Sequence, residues 1–172
     1  MDESTDADVT VRPYADGDAD ALWSLKRGFE TGLGAGTGGE AKAAAYEAKL
    51  TGEYRARWLD WVDRCVDEQP ETVTVAAASG DDGDLAGYVF VLPESLSFVW
   101  DAAVLNEIYV APASRGTGVA DDLMSAAVAT ARAQDLPLDR LVLDVDGEND
   151  RAKAFYERHG FAHWGEMVAR DL

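Results

Sequence analysis

Within about thirty residues the chain changes its period. "AAVLNEIYVAP" (102 to 112) is an apolar, β-rich run stopped by Pro112, and "GVADDLMSAAVATARAQ" (118 to 134) repeats its apolar residues at helical spacing. Val119, Leu123, Ala127 and Ala131 make one face of that helix, while Asp121, Asp122, Ser125 and Arg132 sit elsewhere. Only the turn carrying Arg115, Gly116, Thr117 and Gly118 separates strand from helix. At such a helix start the first N–H groups have no intrahelical partner, and the helix dipole favours an anion there. Glycines let the main chain approach phosphate oxygens without a Cβ in the way. Arg115 adds charge-assisted hydrogen bonds. The expectation is a pyrophosphate cradle over residues 115 to 120, including Val119 and Ala120.

The rest of the sequence reads as mixed α/β. "VTVRPY" (9 to 14) alternates as a first strand, and "ADGDADALWSLKRGF" (15 to 29) follows as a helix with Ala21, Leu22, Leu25 and Phe29 at helical spacing. A helical stretch from 39 to 69 divides near Gly52 and is closed by Pro70; its stripe of Trp58, Trp61, Val62 and Cys65 reads as core. "ETVTVAAAS" (71 to 79) and "LAGYVFVLPE" (85 to 94) are strands joined by "GDDGD", a hairpin turn. "RLVLDVD" (140 to 146) is a buried strand, "NDRAKAFYERHG" (149 to 160) a short helix, and "FAHWGEMVAR" a last strand. Nothing divides the chain, so residues 1–172 are expected to form one domain. Its front half is antiparallel and its back half is strand-helix-strand-helix-strand.

Composition narrows the partners. At 172 residues the chain is long enough to bury roughly 70% of its unfolded surface. The start, "MDESTDADVTVRP", lacks the basic and apolar parts of a signal peptide, and no 18-residue apolar run exists. A cytoplasmic protein without membrane partners is expected. Cys65 stands alone, so neither an internal disulfide nor a thiolate-rich metal cluster is available. The net charge is −18, from 33 acidic and 15 basic residues, which disfavours nucleic acid as a partner. Scattered Asp with only four lysines resembles haloarchaeal composition: at 1 M salt the screening length is about 3 Å, and self-repulsion is damped. A halophilic host explains the charge more simply than function does.

A second glycine run, "GAGTGG" (34 to 39), has the G-x-G-x-x-G spelling of a dinucleotide site. Its context is wrong, because "LWSLKRGFE" before it is helical and no strand feeds the turn. The run reads as a flexible loop between helices. A nicotinamide-nucleotide enzyme using it is the weaker reading.

Arg115-x-x-Gly118-x-Ala120 resembles the acyl-CoA motif [RQ]-x-x-G-x-[GA] of the GNAT superfamily of N-acetyltransferases. "NEIYVAP" before it resembles that family's fourth strand, and residues 149 to 161 resemble its N-x-x-A-x-x-F-Y-x-x-x-G-F segment. The similarity runs along nearly the whole chain in order, weakest from about 30 to 70. It implies acetyl transfer from acetyl-CoA to a primary amine by direct attack, with no metal. It further implies that the main chain of Ile108, Tyr109 and Val110 pairs with the pantetheine arm where the fourth and fifth strands splay. Asn149 would hold cofactor by its amide, although it also suits a helix N-cap. Tyr156 would be the general acid towards the departing thiolate, against a plain core role. Glu107 matches a general base acting through water. A carboxylate among Val104, Leu105, Ile108 and Val110 is costly to bury, so it is expected to face a wet cleft or solvent. His159 and His163 lack further ligands for a metal, and Ser114 reads as turn chemistry. The acceptor should enter beside residues 30 to 70, near Tyr54, Trp58 and Trp61. A homodimer is compatible with the resemblance, and a catalytically silent acyl-CoA sensor is the alternative function.

Overall fold

The computed structural model describes residues 8–36, 39–79 and 83–172. Five strands form one mixed sheet in sequence order: β1 Val9–Pro13, β2 Val73–Ala78, β3 Leu85–Val91, β4 Ala103–Val110 and β5 Leu141–Val142. The first four are antiparallel neighbours, and β4 and β5 run parallel. Helices α1 (Ala19–Gly36) and α3 (Gly52–Glu68) pack on one face, with α2 (Gly39–Ala48) laid along α1. Helices α4 (Val119–Ala133) and α5 (Asp150–Arg158) pack on the other. The α/β class expected from the alternating periods is the class observed. Among the described residues no helix is long and apolar enough to cross a membrane.

Strand alternation supplies the two cores. Tyr88 and Phe90 of β3 point towards α1 and α3, joining Leu22, Leu25, Trp58 and Val62. Val89 and Val91 point the other way and meet Val119, Leu123, Met124 and Ala127 of α4. Burying one Leu or Met of that stripe contributes about 1.5–3 kcal/mol. Thr130 rather than Ala131 closes the stripe, because its hydroxyl reaches out of the apolar face to donate to the Glu71 carbonyl at 3.2 Å. Gly87 lets β4 and α4 close on β3: a Cβ there would lie 2.6 Å from the Tyr109 carbonyl oxygen of β4 and 3.0 Å from the Leu123 side chain of α4.

Three local expectations fail. Helix α1 continues through the glycine run to Gly36, although each interior glycine costs about 1 kcal/mol against alanine. Packing along α2 overrides that local preference; residues 37 and 38, and the hairpin residues 80–82, lie outside the described residues. The buried strand expected at 140 to 146 shrinks to Leu141–Val142, with Asp144 exposed and Asp146 turned to Lys42 of α2 at 3.5 Å. The last strand at 161 to 170 is not formed: the segment has no regular secondary structure, and Trp164, Met167 and Val168 are exposed. So short a β5 offers little hydrogen-bonding edge to receive it.

Candidate active site

Beyond Val104 the strands β4 and β5 part. Their ladder holds only the partners Ala103–Leu141 and Val104–Val142, so the main chain of Leu105–Val110 has β3 on one side and no described strand on the other. Ile108, Tyr109 and Val110 lie along this free edge, where an extended ligand can add as a strand. The edge runs directly into the turn at 112–118. Gly116 (φ 79°) and Gly118 (φ 88°) both adopt the left-handed backbone that glycine tolerates without penalty. Gly118 is the N-cap of α4, so the N–H groups of the first turn face outward beside Thr117, whose hydroxyl donates to the Ser114 carbonyl at 2.5 Å.

Arg115 folds back along the edge. Its Nε donates to the Val110 carbonyl at 3.1 Å, and its guanidinium sits 5.6 Å from the Tyr109 ring centre. Val119 is buried beneath the turn and Ala120 half-buried, both anchoring the helix start. Asp121 places a carboxylate in the same first turn, which would oppose a phosphate. It is held by Arg158 at 2.6 Å and His159 at 2.7 Å, and these two hydrogen bonds keep its pKa below the usual carboxylate value.

Helix α5 brings in the third piece. Asn149 caps it, its Oδ1 accepting from the Ala152 N–H at 3.1 Å, which leaves its amide nitrogen for another partner. Tyr156 packs between Phe155 and Phe161, with ring centres 5.5 and 5.7 Å away, against the α4-side core. Burial alone pushes its phenol up to about 12, so it remains protonated through neutral pH.

These features match a known family. The profile of the Acetyltransferase (GNAT) family covers residues 39–161. The chain belongs to this family. It is 36% identical over 102 residues to the mycothiol acetyltransferase of Salinispora tropica, a match spanning 52% of this chain and 33% of that protein. The chain therefore spans about a third of the length of the curated relative it matches. In fold it is similar to the paia N-acetyltransferase of Thermoplasma acidophilum, solved in complex with coenzyme A. There the TM-score is 0.68 at 18% identity, covering 90% of each chain. It is also similar to the ribosomal-protein-alanine N-acetyltransferase of Brucella melitensis, with a TM-score of 0.64 at 22% identity over 91% and 86% of the chains.

Within the GNAT frame, Glu107 departs from expectation. It faces neither a wet cleft nor solvent and is 6% exposed. A β-bulge is the cause. Val91 pairs with Leu105 but Phe90 pairs with Glu107, so Asn106 is the extra residue. Leu105 thus joins the α4-side core, while Glu107, two residues on, faces α1. There Oε1 receives the Lys26 ammonium and Oε2 accepts from the Tyr88 hydroxyl at 2.8 Å. Burial pushes the Glu107 pKa up, and Lys26 and Tyr88 only partly offset it. Burial pulls Lys26 down, but the carboxylates of Glu107 and Glu30 outweigh it and the net direction is upward.

Sequence reasoning missed Lys26, Glu30, Tyr88 and Lys49. Lys26 Nζ lies 2.6 Å from Glu30 and sits over the rings of Phe29 and Trp58 at 5.2 and 5.1 Å. The signal was present: Lys26 and Glu30 fall on the same helical stripe as Leu22, Leu25 and Phe29, where a charge needs a buried partner. Tyr54, Trp58 and Trp61 are gathered, with Arg57, Asp60 and Arg64, along a groove of about 500 Å³ on α3. Among the described residues no group of His, Cys, Asp and Glu could hold a metal ion; His159 serves Asp121, and His163 lies 4.0 Å from Glu166.

Proposed function

We propose that the chain transfers the acetyl group of acetyl-CoA to a primary amine by direct attack. The observation that carries this reading is one continuous feature: the free β4 edge leading into the glycine turn and the start of α4. Pantetheine adds along Ile108–Val110 as a strand. The pyrophosphate sits on the N–H groups of Arg115 to Ala120, with Asn149 donating its amide from across the gap.

The chemistry asks for a neutral amine, a polarised carbonyl and a protonated leaving group. A β4 N–H polarises the thioester oxygen. The amine nitrogen attacks the carbonyl carbon, the carbon–sulfur bond breaks, and Tyr156 gives its proton to the thiolate. Glu107 is closed off by Lys26 and Tyr88, so it takes the amine's proton directly, when the arriving amine replaces one of these partners on its carboxylate. Its buried setting raises its basicity, while Lys26 and Tyr88 keep the carboxylate compensated.

Two measurements test the reading. Calorimetry with coenzyme A, in dilute buffer and in molar KCl, should show binding that Gly118→Val abolishes. Thiol release from acetyl-CoA in the presence of an amine library should then identify acceptors. Binding without release for any amine would assign the chain as an acyl-CoA sensor, and no binding in either buffer would remove the reading altogether. Glu107→Gln should lower the rate most at low pH, where the amine is protonated; an unchanged profile would leave the carboxylate a purely structural part.

A further inference from the structure

A cation of the chain itself occupies a site built for one. Lys49, in the turn after α2, holds its ammonium 2.7 Å from Glu30 Oε2 and over the rings of Tyr46 and Tyr54, at 4.3 and 5.5 Å from their centres. Glu30 is 4% exposed. Its Oε1 is taken by Lys26 at 2.6 Å and by the Tyr54 hydroxyl at 3.5 Å. Its Oε2 is buried and is met by the Lys49 ammonium. A buried carboxylate flanked by two aromatic faces is the chemistry that recognises an organic ammonium.

Lys49 differs from Lys26 in being replaceable. The Lys26 side chain is 3% exposed and locked between two carboxylates, whereas the Lys49 side chain is 35% exposed. A shallow pocket of about 130 Å³, lined by Ala45, Tyr46 and Lys49 itself, opens beside it. The charges also demand a substitute. Glu30 and Glu107 balance Lys26 and Lys49, so displacing Lys49 strands a buried negative charge unless another cation arrives. The location fits an acceptor's path. Lys42 ties α2 to Asp146 just before α5, and Gly28, two residues before Glu30, lies against Tyr109 on the free β4 edge.

We propose that Glu30, Tyr46 and Tyr54 form a subsite for a second, non-reacting ammonium of the acceptor, and that Lys49 fills it until substrate arrives. The acceptor class is then a diamine or polyamine, an inference that rests on the acetyl-transfer reading. A nitrogen held by Glu30 is kept protonated and cannot attack a thioester. The reacting nitrogen is the other end of the molecule, which reaches the β4 gap as a neutral amine.

The test compares 1,n-diaminoalkanes with monoalkylamines of equal length in wild type, Lys49→Met and Glu30→Gln, reading thiol release. The diamine should exceed the monoamine in kcat/KM in wild type. That ratio should rise about tenfold in Lys49→Met, which removes a tethered competitor, and fall towards unity in Glu30→Gln. Calorimetry with the diaminoalkane alone should show tighter binding to Lys49→Met than to wild type. A ratio that is equal in all three proteins, or a diamine preference that survives Glu30→Gln, overturns the subsite. Should Glu30→Gln not fold, the gain or absence of gain in Lys49→Met decides. If no amine is acetylated yet Lys49→Met binds the diamine more tightly, the transfer reading fails and the subsite stands.

Discussion

The two faces of the sheet are built on opposite principles. The α4 side is aliphatic and small: Ala76, Val89, Val91, Leu105, Leu123, Met124 and Ala127 close on one another with no buried charge among them. The α1 side buries a lysine, two glutamates and a tyrosine hydroxyl under Trp58 and Phe29, with Lys49 at the rim. An apolar face is held by area and tolerates sliding; a face built on ion pairs has one arrangement in which every charge is met. The apolar face therefore supports the helix whose start makes the turn, while the charged face sets geometry on the α1 side of β4.

The largest expected effect breaks that contrast directly. Lys26→Met should destabilise the fold by about 3–5 kcal/mol, because it leaves Glu107 and Glu30 buried with one partner fewer. Adding Glu107→Leu should restore much of the loss in a denaturant titration. If the single variant is as stable as wild type, the buried ion pairs carry no structural weight and the contrast between faces is wrong.

Tyr156→Phe, on the opposite face, is expected to lower kcat about 100-fold, the low end of general-acid contributions, while leaving the unfolding midpoint nearly unchanged. Because burial pushes Tyr156 up to about 12, wild-type activity should not lose this acid below about pH 10. An alkaline limb near neutrality that disappears in the variant would contradict the assignment.

Smaller still, Gly87→Ala should cost about 1–3 kcal/mol, since its Cβ would press on the Tyr109 carbonyl and, at 3.0 Å, on Leu123. Thermal melting reads this, and an unchanged melt would mean that the α4 face yields more easily than its packing suggests. The smallest effect is at Cys65. Burial pushes its thiol up to about 11, so a thiol reagent at pH 8 should label the native protein negligibly and the unfolded protein fully. Rapid native labelling would show that the α3 side opens.

Much of this architecture was legible in the residues. The stripe Val119, Leu123, Ala127 declared α4, the β-rich runs declared β1 to β4, and Gly116 and Gly118 declared a turn, whose positive φ the structure then supplied. Thr51, whose side chain accepts from the Tyr54 N–H, separates α2 from α3 next to the expected break at Gly52. The failures share a cause. Gly32 and Gly34 argued against a helix that packing along α2 maintains, and residues 161 to 170 had a strand-like composition but received no edge to pair with.

Residue order alone set most of the elements and the glycine turn before α4, because each depends on periodicity or backbone freedom within about ten residues. The direction of Glu107 came only with the assembled fold. One extra residue, Asn106, inverts the alternation of β4 and turns the carboxylate from the side Leu105 faces to the side where Lys26 waits, 81 residues away in the chain. Local pattern cannot register a bulge whose stabilising partner sits on another element, since the pairing free energy exists only once the helix and the strand have met.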